Sequence, residues 1–203
     1  MSQAHWDSVY ATEHLDGLGW YEPTPSTLGL VTAYSTPGDS VIDVGGGTSP
    51  LTMELARLGY RDLTVLDISE RALGASRNAL GEHADVVRWI RTDVTSYRPD
   101  RRWQLWHDRA VFHFLVDRED REAYRSVAAS AVEPGGILIV ATFAPEGPEK
   151  CAKLEVRRYD VDGLAEEFAP DFDLVEGRRL IPSAPTSDQR PYIGVALRRI
   201  GQD

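Results

Sequence analysis

A short, mostly β-branched stretch, Val41-Ile42-Asp43-Val44, runs directly into Gly45-Gly46-Gly47-Thr48-Ser49, and a helical pattern opens at Leu51. No other segment restricts the fold as much. Glycines at that point let the backbone turn tightly and let a ligand press against the main chain. Twenty positions after Gly47 an acidic residue, Asp67, closes a second apolar run, Leu63-Thr64-Val65-Leu66. Strand, glycine turn, helix and a carboxylate at the next strand end make up the opening of an α/β nucleotide-type fold.

The alternation continues along the chain. Leu51–Leu58 reads as the first crossover helix, closed by Gly59, and Ser69 caps a second that runs through Leu80 to Gly81. Val86–Ile90 and Trp103–His107 are the third and fourth strands, and Asp117–Val132 is helical. Glu133-Pro134-Gly135-Gly136 forces a turn into the strongest strand, Ile137–Ala141, and Asp160–Phe168 is again helical. The last two strands, Phe172–Glu176 and Tyr192–Arg198, have no helix-length segment between them, so they pair antiparallel. Such an order predicts a sheet covered on both faces, with ligands beyond the carboxyl ends of its strands.

Composition narrows the function classes. The chain has 203 residues without a repeat or a linker, which predicts one domain. Residues 1–38 hold two helices, around His5–His14 and Pro25–Tyr34, ahead of a core at 39–203. A formal net charge of −10 argues against a nucleic-acid partner, since phosphate backbones are bound by Lys and Arg. Basic charge comes almost wholly from Arg, with Lys only at 150 and 153, which points to a GC-rich bacterial genome. Cys151 is the only cysteine, so no internal disulfide forms. No signal peptide and no membrane-length apolar run is present, and a cytoplasmic setting is expected.

The strand ends carry the chemistry. In order they read Asp43-Val44-Gly45-Gly46-Gly47, Asp67-Ile68-Ser69, Thr92-Asp93-Val94-Thr95 and His107-Asp108-Arg109. Glycines with a following carboxylate suit an adenosine-type cofactor, with Asp67 on the ribose hydroxyls. The candidates are a nicotinamide, a flavin and S-adenosylmethionine. Asp93 is placed to accept a hydrogen bond from an exocyclic amine such as the adenine N6, with Ile68 and Val94 on the two faces of the ring.

Five features in this order resemble the class I S-adenosylmethionine-dependent methyltransferases: the glycine motif, Asp67, Asp93, the Asp108 segment and the Glu133-Pro134-Gly135-Gly136 turn. The likeness covers nearly the whole chain and is nearest to a small bacterial branch. It implies a Rossmann-like, seven-stranded, mostly parallel sheet with a C-terminal antiparallel hairpin, helices on both faces and an N-terminal helical lid. It further implies that Gly45, Gly46 and Gly47 lie along the methionine and ribose, with Asp43 and Ser49 in the same motif. Asp108, or its backbone, is implied near the methionine end. A start of the form Trp-Asp-x-x-Tyr, here Trp6 to Tyr10, implies a lid in which Tyr10, Trp20 and Tyr21 close over the sulfonium, whose charge aromatic faces attract. A nicotinamide fits less well. Pro50 stands where the third glycine of its fingerprint belongs, and no Tyr-x-x-x-Lys pair exists.

For the chemistry itself, His113 is the candidate base, and Arg109 anchors either the strand end or an acidic acceptor; a salt bridge to a nearby carboxylate is its structural alternative. Methyl transfer from a sulfonium is an in-line displacement in which orientation and exclusion of water do most of the work. No metal is expected. The expected acceptor is a nitrogen, oxygen or sulfur nucleophile of a small molecule, with S-adenosylhomocysteine as product. The alternatives are a protein lysine methyltransferase, a non-catalytic S-adenosylmethionine-binding protein and a nicotinamide-dependent oxidoreductase. Nothing in the sequence specifies an oligomeric state. The segment Phe143–Cys151 is expected to be a flexible acceptor loop. Ile181–Tyr192, also on the acceptor side, lacks a His found in some relatives.

Overall fold

The computed structural model describes residues 2–12, 20–48, 50–181 and 190–201. Seven strands form one sheet in the order β3-β2-β1-β4-β5-β9-β8. They are β1 (Val41–Val44), β2 (Leu63–Asp67), β3 (Val87–Arg91), β4 (Trp103–Arg109), β5 (Val132–Phe143), β8 (Phe172–Leu180) and β9 (Tyr192–Arg199). β1 to β5 pair in parallel, while β9 runs antiparallel to both β5 and β8. This is the class I methyltransferase architecture, Rossmann-like with an antiparallel C-terminal pair.

The local chemistry explains the elements. β1 and β2 are buried along their whole length, as expected for parallel strands covered on both faces. One face packs on α2 (Leu28–Tyr34), α3 (Leu51–Arg57) and α4 (Glu70–Leu80), through Leu30, Leu55 and Leu73. The other packs on α5 (Arg118–Ala131) and α6 (Val161–Phe168), through Tyr124, Ala128 and Phe168. Ser69 caps α4 by accepting from the Ala72 amide at 3.2 Å, and Asp160 caps α6 by accepting from Gly163 at 2.8 Å.

Two segments differ from expectation. β5 already begins at Val132, paired with Trp103, and the Gly135 turn is absorbed as a register shift before Ile137. The stretch expected as a loop over Phe143–Cys151 ends in a small hairpin, β6 (Lys150–Cys151) against β7 (Leu154–Glu155). Backbone bonds from Arg157 to His113 and from Tyr159 to Phe143 tie it to the sheet. The N-terminal helix α1 (Gln3–Thr12) lies against α4, across the carboxyl ends of the strands.

Candidate active site

The strand order reverses direction between β1 and β4, and two adjoining cavities open there beyond the strand ends. The larger, of about 660 Å³ including its open mouth, is bounded by Asp67, Ile68, Asp93 and Val94 on the core side. The smaller, of about 420 Å³, has Asp43, Thr48 and Glu22 in its wall. Gly45, Tyr10, Trp20 and Arg109 border both, so the two are compartments of one site.

The glycine turn is built for close approach. Gly45 has φ +66°, and a Cβ there would overlap Val111. Gly46 and Gly47 back onto two carboxylates, so a side chain at either would displace Asp43 or Asp67. Gly47 donates its amide to Asp67 Oδ2 at 3.1 Å, and Ser69 donates to Oδ1 at 2.8 Å. A carboxylate has about four lone-pair directions, so both oxygens keep capacity for further donors. Burial, with the nearby Asp43 charge, pushes Asp67 up to about 6. Asp93 Oδ1 accepts from both the amide and the hydroxyl of Thr95, while Oδ2 has no hydrogen bond among the described residues.

The lid side is aromatic. Trp6 stacks on Tyr10 with centroids 6.1 Å apart and meets Trp20 and Phe114 edge-on. Tyr21 lies in the wall of the smaller cavity. Burial and the Asp67 charge drive the Tyr10 phenol well above its usual range, so it remains a proton-bearing donor. Three polar ties fasten the N-terminal segment to the core. Asp7 meets Ser69. Arg109 donates to the Trp20 carbonyl at 2.5 Å and faces Glu22 at 3.6 Å. Buried His107 donates from Nδ1 to Asp43 at 2.7 Å and shares a 2.9 Å hydrogen bond between Nε2 and the Thr27 hydroxyl.

Two expected site residues stand elsewhere. Along β4, side chains alternate between faces, so His107 and Arg109 point toward the lid and Asp108 points away, under α5. There Asp108 accepts from the Val111 and Phe112 amides and, at 2.6 Å, from the Tyr124 hydroxyl. Its role is to fold the turn at Ala110, whose φ of 68° brings Ala110 and Val111 to the cavity wall. His113 is fully buried beside Phe114 and Phe143 and lines neither cavity. Burial, helped by the Arg109 charge, lowers it to about 3, so the ring is neutral, and neither nitrogen has a hydrogen-bond partner among the described residues. Ser49 lies outside the described residues.

Trp6, Glu22, Phe114 and Cys151 belong to the site although the strand-end pattern does not mark them. Only Trp6 had a local signal, its i, i+4 spacing to Tyr10 on one helix face.

Residues 41–136 match the family described as "Methyltransferase domain". The human eEF1A lysine and N-terminal methyltransferase is 23% identical over 137 residues, 67% of this chain and 20% of that protein. The chain therefore spans about a fifth of the length of that relative. The structure reported for conversion of a disulfide bond into a thioacetal group during echinomycin biosynthesis superposes with a TM-score of 0.77 at 19% identity, covering 100% of this chain and 94% of that one. The Burkholderia thailandensis 1,6-didemethyltoxoflavin-N1-methyltransferase, solved with that compound and S-adenosylhomocysteine, gives 0.71 at 20% identity, covering 98% and 84%. Residues 41–136, just under half of the chain, are thus similar to a methyltransferase domain, and the chain shares the class I methyltransferase fold of these structures.

Proposed function

We propose that the chain binds S-adenosylmethionine across the two cavities and methylates a nitrogen, oxygen or sulfur atom of a small molecule. The bound sulfonium supplies an electrophilic methyl group and leaves as S-adenosylhomocysteine. The observation that carries the reading is the convergence of Asp67, Asp93 and the Gly45 turn on one cavity at the point where the sheet reverses. In this reading Asp67 accepts from the ribose hydroxyls and Asp93 from the adenine amine, with Ile68 and Val94 against the ring. Asp43 and Arg109 bring opposite charges to the smaller cavity, which suits the zwitterionic amino-acid end.

The remaining work is orientation. Tyr10, Trp20 and Tyr21 cover the site with aromatic faces that favour a cation and exclude water. Arg109, tied to Trp20 and Glu22, holds that cover to the end of β4. No step is assigned to His113, because its ring lies behind the wall and is neutral.

A second reading, methylation of a protein lysine, is favoured by the similarity to the eEF1A lysine methyltransferase. The aromatic cover supports the small-molecule acceptor, since a lysine side chain needs an open groove. Calorimetry with S-adenosylmethionine and S-adenosylhomocysteine tests the shared premise, and binding of both is expected. Failure of both to bind overturns it. S-adenosylhomocysteine release with thiols, phenols, amines and a lysine peptide then separates the readings. Turnover with the peptide alone would favour the protein substrate.

A further inference from the structure

One half-buried contact joins the lid to the ribose wall and has no part in the chemistry above. Asp7, on α1, accepts a 2.6 Å hydrogen bond from the Ser69 hydroxyl. Ser69 is fully buried and serves three bonds at once. Its amide donates to Asp67 at 2.8 Å, its oxygen accepts from the Ala72 amide at 3.2 Å, and its single hydroxyl proton goes to Asp7. Gln3 steadies the other Asp7 oxygen from within α1 at 3.2 Å. The Ser69 hydroxyl, with Gln3 and Arg71, holds the Asp7 carboxyl below its ordinary range, so it is ionised at neutral pH.

Position gives the contact its meaning. Trp6 and Tyr10 flank Asp7 on α1 and line the larger cavity, while Asp67 lies two residues before Ser69 in the opposite wall. A bond between Asp7 and Ser69 therefore sets how close the aromatic cover sits to the ribose carboxylate. Ordinary helix packing of α1 on α4 would bring apolar side chains together there; a charged hydrogen bond is directional and fixes one separation.

We propose that Asp7 is a positioning residue that latches α1 over the cavity through Ser69 and so sets the rate at which the cofactor leaves. The inference rests on the cofactor reading given above. Its test is stopped-flow measurement of S-adenosylhomocysteine release from the full chain, beside thermal melting without ligand.

Asp7→Ala is expected to speed release roughly tenfold, the scale of a charged hydrogen bond, with little change in the ligand-free melting temperature. Ser69→Asp keeps a good cap on α4 but sets like charges together, and it is expected to speed release at least as much. The exchange variant Asp7→Ser with Ser69→Asp restores a hydroxyl-to-carboxylate bond with the partners reversed, and its release rate is expected to return to within about threefold of wild type. If the wild type binds the ligand and Asp7→Ala releases it at the wild-type rate, the latch is wrong and the cofactor reading stands. A drop in ligand-free melting with unchanged release would mark a merely structural contact and also overturn it. A wild type that binds no S-adenosylhomocysteine overturns both.

Discussion

Asp67 carries the most consequence of any single residue. It is buried, and two backbone amides already point at it, so it is a preorganised acceptor and not a mobile surface charge. Burial places its titration at about 6 in the ligand-free protein. In the proposed binding mode the ribose hydroxyls donate to the ionised form, so binding must first pull off the proton whenever the pH is below that value. Affinity for S-adenosylhomocysteine is therefore expected to be flat above pH 7 and to fall by up to about tenfold per pH unit below about 6. Asp67→Asn is expected to weaken binding by roughly 10- to 100-fold and to abolish that dependence, read by calorimetry between pH 5 and 8. The place of Asp67 at the end of β2 was legible in the sequence because a strand end and a fixed distance from a glycine turn are local properties. His113 was not. It does follow the end of β4, but the short turn over Phe112–Phe114 rotates its ring inward between Phe114 and Phe143.

At the scale of elements, β4 shows how far a pattern can be followed. Its strand character, its depth in the sheet and the burial of His107 all follow from the residues. Which face each side chain takes follows from alternation once one residue is placed, and Asp108 belongs to the α5 face. There Tyr124 donates to Asp108 and accepts from Trp106 Nε1 at 3.0 Å, so one hydroxyl satisfies two buried groups. Tyr124→Phe leaves both without that partner. It is expected to destabilise the fold by about 1–3 kcal/mol in denaturant melts. The affinity for S-adenosylhomocysteine should stay near wild type, because neither group lines the cavities. Helix caps at Ser69 and Asp160 were readable from their residue types. The β6–β7 hairpin was not, since Gly and Pro residues between 144 and 148 signal only a turn, and the bonds that secure it come from β5 and the turn after β4.

For the whole molecule, the N-terminal segment and the core are joined by three polar ties at the ends of β2 and β4, through Asp7, Glu22 and Thr27. A ligand enclosed between them binds only the folded, covered state, so binding and stability are linked. S-adenosylhomocysteine at a hundred times its dissociation constant is expected to raise the melting temperature by roughly 5–10 °C, measured by calorimetric scans. A smaller shift in Asp7→Ala at the same ligand concentration follows from a looser cover. What the sequence determined by itself was the alternation of strands and helices, the glycine turn and the carboxylates at the ends of β1, β2 and β3. Those depend on backbone torsions and on side-chain periodicity over a few residues. What only the tertiary structure decided was the cover: Trp6 against Phe114, Asp7 on Ser69 and Arg109 beneath Trp20. Such contacts join residues far apart in the chain, and their partners are set by how packed elements lie in space, which no local preference encodes.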